Sequence, residues 1–200
     1  MVRWLRSSCT LAVAAAAGAF SLGACGSGGA DTAPASAAGA LPLRLVADVP
    51  LPGQTARFDY QSIDPQRHRL FVANLGADAI TVIDTRRRHV IAEITGIPSA
   101  HGVLAVPALH RVFVTATATN QIVTLDDYSY RVIRRAPTGA FPDGLAFDRA
   151  TKRIFVSDKN GSSVTVADAR SGRRIATVDV GGGVGNVQYD AGSRRILVNV

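Results

Sequence analysis

The chain has 200 residues, 47% of them hydrophobic and only 6% aromatic, and its 22 Lys and Arg against 15 Asp and Glu leave a formal charge of +7. That length supplies a sizeable core, while a cysteine content limited to Cys9 and Cys25 excludes a multi-disulfide framework, a CxxC metal site and a CxxCH haem attachment. The basic balance favours anionic partners over acidic-surface chemistry.

In chain order, Arg3 and Arg6 precede an uncharged, Ala-rich run from Thr10 to Ala24. This is the layout of a secretion signal, and the run is shorter than the roughly 20 apolar residues of a membrane span. The stretch Leu22-Gly23-Ala24-Cys25 resembles the lipobox of bacterial lipoproteins. That resemblance implies removal of residues 1–24 and acylation of Cys25, so that the protein is exported and held at a membrane, facing the periplasm or the cell exterior. A plain signal peptide cut after Ala24 is the alternative. Cys9 lies in the segment that would be removed, so Cys25 has no disulfide partner and an anchoring role is the one left to it. The small, polar residues that follow Cys25 up to Leu41 read as a flexible linker, with a root-mean-square reach of roughly 20 to 24 Å. Subtracting Arg3 and Arg6 from +7 leaves +5, so the mature chain stays basic.

From residue 42 to 200 the chain repeats itself. "RLFVAN" at 69, "RVFVTA" at 111, "RIFVSD" at 153 and "RILVNV" at 195 place Arg69, Arg111, Arg153 and Arg195 at intervals of 42 residues. Asp84, Asp126 and Asp168 keep the same interval, as do Ile80, Ile122 and Val164. Each period reads as four short strands; in the third copy these are "GLAFD", "RIFVSD", "SVTVAD" and "RRIATVDV", separated by the turns "RATK", "KNGS" and "ARSG". Outside the signal segment there is no apolar stripe of helical period. Consecutive apolar residues such as Phe71-Val72 and Phe155-Val156 require strands covered on both faces. Four-stranded antiparallel sheets stacked as blades about an axis meet that requirement, and the expected fold is an all-β propeller.

The second-strand motif resembles the YVTN repeat, and "FPDGLAFD" at 141–148 is similar to the stretch that opens each inner strand in YncE-like propeller proteins. The resemblance covers about Leu43 to Val200. It implies a usually seven-bladed, exported protein. Asp59 to Val200 provides only about 3.4 periods, so a fragment or early stop of a longer gene is expected. "LRLVADV" at 43–49 is similar to the fourth strand of a blade, of the kind that closes the ring in complete propellers.

Blade topology sorts the loops onto two rims. The rim of first-to-second and third-to-fourth turns holds fifteen of the twenty basic residues beyond Cys25, including Arg86, Arg87, Arg88, Arg131, Arg170, Arg173 and Arg174. It could meet anionic lipid headgroups, a wall polymer or a protein partner. Nucleic acid would be attracted in a salt-dependent way, but aromatic residues for base stacking are confined to Tyr128 and Tyr130 there. The bland reading is a solvated surface.

On the opposite rim the blade-to-blade links deliver Asp59, His101 and Asp143 at one repeat position, with Asn186 one residue past the fourth. Two carboxylates, an imidazole and an amide could bind a small ligand or a divalent cation; no other cofactor is evident. Asp59 and Asp143 could instead cap turns. Asp84, Asp126 and Asp168 are read as turn-forming, and His68, His89 and His110 as surface residues. The function expected is a membrane-anchored binding or scaffold module without catalytic residues. The alternatives are a metal-dependent hydrolase or lyase at the channel mouth and an accessory propeller of a periplasmic dehydrogenase or electron-transfer system.

Overall fold

A computed structural model describes residues 2–7, 43–52 and 57–200. Cys25, expected to be acylated, and the residues expected to form a linker after it lie outside the described residues, as does most of the segment expected to be a signal. The chain divides into two units, residues 2–48 and residues 49–200. In the first, Val2–Ser7 (β1) pairs with Leu43–Val49 (β2) as a two-stranded sheet. A strand is therefore present at 43–49 as expected, but it pairs along one side with β1 rather than standing as the fourth strand of a four-stranded blade.

The second unit carries the repeats. Phe58–Asp64 (β3), Arg69–Asn74 (β4), Ala79–Asp84 (β5) and His89–Ile94 (β6) form one antiparallel sheet. Ala100–Val106 (β7), Arg111–Ala116 (β8), Gln121–Asp126 (β9) and Val132–Pro137 (β10) form the next. Pro142–Asp148 (β11), Arg153–Asp158 (β12), Ser163–Asp168 (β13) and Arg174–Asp179 (β14) form the third, and Val187–Asp190 (β15) pairs with Arg195–Val198 (β16). The first strands of successive sheets lie against one another, β3 on β7, β7 on β11 and β11 on β15. This is the inner-strand contact of propeller blades.

The local chemistry repeats with the strands. Asp84, Asp126 and Asp168 each accept, through Oδ1, the backbone N–H groups two and three residues on, closing the third-to-fourth turns. Asp64 and Asp148 do the same in the first-to-second turns. Those turns end in a left-handed residue, His68, His110, Lys152 and Arg194, each just before the arginine that starts the second strand. The two sequence columns turn out to be opposite one another: Arg69 pairs with Asp84, Arg111 with Asp126 and Arg153 with Asp168 across the second and third strands. In the first two blades they are ion pairs, at 2.8 and 3.8 Å, the cross-strand arrangement that favours opposite charges.

Both faces of the middle strands are covered. All six residues of β5 are buried, and so are the last five of β4 and β8. Phe71 of the first blade packs among Val103, Val114 and Leu125 of the second, and Phe113 of the second packs among Ile154, Val156 and Ala167 of the third. Each phenylalanine is fully buried, worth about 2 to 3 kcal/mol of transfer free energy. One column of the repeat thus fastens each blade to the next. The outermost strands differ, being half-exposed in β6 and exposed throughout β14. Each is broken by a bulge that leaves an isoleucine out of the ladder, at Ile91, Ile133 and Ile175. A bulge there twists the edge away from pairing with another sheet.

Candidate functional site

The first strand of each full blade is also bulged, at its opening residues. The register skips between Phe58 and Gln61, between Ala100 and Val103, and between Pro142 and Leu145. Asp59, His101 and Asp143 are the first of the two residues inside each gap, followed by Tyr60, Gly102 and Gly144. Bulges re-aim side chains next to binding sites. The glycine that follows permits the approach: a Cβ on Gly102 would stand 2.2 Å from the backbone oxygen of Asp143. The freed N–H groups are not lost. Gly102 N–H donates to Thr115 Oγ1 at 2.6 Å and Gly144 N–H to Ser157 Oγ at 2.9 Å, from the same position of the second strand. Thr115 Oγ1 in turn donates to Asp143 O at 2.9 Å, tying the second blade to the third at the site itself.

His101 Nε2 stands 4.0 Å from Asp59 Oδ2. Its Nδ1 lies 2.9 Å from Ser99 O, which can only accept, so Nδ1 carries the hydrogen and Nε2 is the atom turned to Asp59. The edge of Phe141 meets the His101 ring with centroids 5.2 Å apart, and the Lys159 ammonium lies 5.6 Å from the Phe141 centroid. Burial pushes the Asp143 carboxyl above its ordinary range; His101, Lys159 and Arg57 oppose the rise, and Asp59 adds to it. Asp143 Oδ1 is buried and has no hydrogen-bond partner. Burial also raises the Tyr60 phenol, with the negative charges of Asp143 and Asp59 acting in the same sense.

Neither Asp59 nor Asp143 accepts a bond from a following backbone N–H, in contrast to the turn-closing aspartates, so the turn-capping alternative does not describe them. Asn186 joins the cluster through Tyr60, whose hydroxyl donates to Asn186 Oδ1. Tyr60, Phe141, Lys159 and Arg57 are the members that the repeat pattern alone does not single out. Tyr60 leaves a trace in the sequence, standing where the next copies have Gly102 and Gly144. Among the described residues no group of three or more His, Cys, Asp or Glu is disposed to hold a metal ion. Asp59, His101 and Asp143 are neighbours that would have to draw closer to share one.

On the opposite rim Arg86, Arg87, Arg88, Arg131, Arg170, Arg173 and Arg174 are all exposed. Backbone bonds from Thr85 to His68, Asp127 to His110 and Ala169 to Lys152 join the two kinds of turn that make up this rim. Arg67 crosses from the first blade to the second, 3.3 Å from Asp127 and 4.9 Å from the Tyr128 ring. His68 and His110 end turns, and His110 Nδ1 lies 3.5 Å from the buried Asp127.

No protein-family model and no curated protein sequence matches the chain. Solved structures do. Hydrazine synthase of Kuenenia stuttgartiensis superposes with a TM-score of 0.64 at 16% identity, over 69% of this chain and 40% of that one. Dihydro-heme d1 dehydrogenase NirN, in complex with DHE, gives 0.58 at 19% identity, over 74% of this chain and 32% of that one. A functionally unknown protein from Desulfotomaculum acetoxidans DSM 771 gives 0.67 at 14%, over 80% and 53%. The chain thus spans between about a third and a half of the length of the structures it is similar to. The first two are β-propeller proteins, and with its stacked four-stranded sheets this chain has the β-propeller fold.

Proposed function

We propose that this propeller is a binding module of the cell envelope, of YVTN-repeat kinship, anchored through acylated Cys25 and taking a small polar ligand at the channel end marked by Asp59, His101 and Asp143. The observation that carries the reading is the buried, unpartnered Asp143 Oδ1 beside an imidazole and a second carboxylate. An acceptor left without a donor in a folded protein costs about 1 to 3 kcal/mol, and a ligand hydroxyl, amine or cation would supply what it lacks. The flanking Phe141 and Lys159 would shape the entrance.

The test is a thermal-shift screen of amines, polyols and divalent cations against the full chain and its Asp143→Asn and His101→Ala variants. A ligand that raises the melting temperature of the parent protein and of neither variant supports the reading. Stabilisation that persists unchanged in both variants refutes it. For the anchor, Cys25→Ser should move the protein from the membrane to the soluble fraction, and retention at the membrane contradicts acylation there.

A second reading is enzymatic. A carboxyl whose protonation is favoured beside a histidine is the kind of pair that moves protons, and a hydrolase or lyase aided by a divalent cation would use it. Retention of Ca²⁺, Mg²⁺ or Zn²⁺ with loss on Asp143→Asn favours that reading. The third, an accessory propeller in electron transfer, rests on the propeller fold, and the names of the hydrazine synthase and dihydro-heme d1 dehydrogenase structures are in keeping with it.

A further inference from the structure

Between the outer strands of the second and third blades runs a groove of about 450 Å³ whose lining includes four arginines, Arg134, Arg135, Arg173 and Arg174, with Pro137 and Ile175. It is an open depression on the surface, wide enough for a small charged compound to lie along it. All four arginines are exposed, and among the described residues none of them is ion-paired with a carboxylate. Elsewhere on this protein the repeat sets arginines against aspartates, as in Arg69 with Asp84 and Arg111 with Asp126. Here four like charges share one depression with no carboxylate in ion-pair contact, Asp158 acting on Arg174 only at longer range, an arrangement that attracts anions.

The side chains are also held in place. Arg134 Nε donates to Ser171 O of the neighbouring blade at 2.8 Å, Arg135 Nη2 to Gly96 O at 2.9 Å, and Arg174 Nη2 to Thr177 Oγ1. The turn carrying Ser171 is itself pressed onto the second blade, since a Cβ on Gly172, whose φ is +70°, would stand 2.4 Å from Thr124 Oγ1. Arg134 spends only its Nε on this contact and keeps both terminal nitrogens for a fork-like contact with an oxyanion. The blade scaffold does not demand these residues. One period earlier, Ala92, Glu93 and Val132 stand where Arg134, Arg135 and Arg174 stand here, and one period later Ala176 and Thr177 replace the first two. The positive groove is an addition to the repeat at one blade junction.

We propose that this groove binds a soluble compound bearing several linked phosphate groups. A terminal phosphate presents three strong acceptor oxygens, more than a carboxylate offers to guanidinium donors set around one groove, and a short phosphate chain adds two more at each internal phosphate and concentrates the negative charge that four clustered cations attract. The site is separate from the channel-end cluster and does not depend on the reading given for it.

The probe is sodium tripolyphosphate, with binding to the full chain measured by calorimetry at two salt concentrations. Two groove variants, Arg134→Gln/Arg174→Gln and Arg173→Gln/Arg174→Gln, are compared with a charge-matched rim variant, Arg86→Gln/Arg87→Gln, after urea unfolding has shown each to be folded. The second groove variant spares the Arg134–Ser171 bond, so a folding defect in the first does not remove the test. Both groove variants should bind about tenfold more weakly or worse, as expected when two charge-assisted hydrogen bonds go, while the rim variant stays within about twofold of the parent protein. Equal weakening in groove and rim variants overturns the proposal in favour of diffuse charge. So does binding to phosphatidylglycerol vesicles without binding to tripolyphosphate, which would make this a lipid-facing surface.

Discussion

Replacing Gly102 with alanine tests the contact on which the site depends. The added methyl would stand 2.2 Å from Asp143 O, 2.9 Å from Thr115 Oγ1 and 3.3 Å from Leu145 Cδ1. The nearest atom is backbone of the next blade, so no side-chain rotation relieves the clash and the first strands of the second and third blades must separate. Overpacking of this kind costs about 1 to 3 kcal/mol. Separation also breaks the bond from Thr115 Oγ1 to Asp143 O, and a buried hydrogen bond contributes about 1 kcal/mol. Together they give a loss of about 2 to 4 kcal/mol. Gly96→Ala is the control: its φ is +75° but a Cβ would meet nothing within 4 Å, so only the backbone term of about 1 to 2 kcal/mol applies. Urea unfolding of the full chain followed by circular dichroism would measure both, with the midpoint falling at constant slope. If Gly102→Ala lost no more stability than Gly96→Ala, the two inner strands would not be in contact and the gathering of His101 and Asp143 would be wrong.

Thr115→Val should destabilise by about 1 to 3 kcal/mol, because it strands the Gly102 N–H and the Asp143 carbonyl together; a neutral result by the same urea assay contradicts the bridge. Asp143 has a folded-state pKa raised from 3.8 by burial, so its protonated form favours the fold and stability is lost as pH climbs from the unfolded value through the folded one. Asp143→Asn should therefore gain on the parent protein between pH 4 and neutrality, and a difference independent of pH refutes this. Asp84 has the opposite sign: its pKa is lowered by the backbone N–H groups of Arg87 and Arg86 and by Arg69, so its contribution is present above its unfolded pKa and disappears as pH falls through the folded one. Asp84→Ala should cost about 2 kcal/mol at neutral pH and progressively less as pH falls into the acid range, read from urea midpoints along the series.

The 42-residue period, the four strands of each copy and the coverage of both sheet faces could be read from the residues alone, because they depend on neighbours in sequence. Alternation or its absence in "RLFVAN" reports burial directly, and an aspartate two residues before a turn amide needs no distant partner to act. The shared repeat position of Asp59, His101 and Asp143 was legible for the same reason, since equivalent positions of stacked sheets come to the same end. What those side chains do there was decided between blades. The reach of Tyr60 to Asn186 and the approach of Phe141 to His101 depend on how far each sheet is turned against the next. That angle is set by packing such as Phe71 and Phe113 into the following blade, and no spacing within one copy encodes it. The arginine groove follows the same logic: Arg134 and Arg174 are forty residues apart in the chain, and only the fit of one blade's turn onto its neighbour makes them walls of a single site.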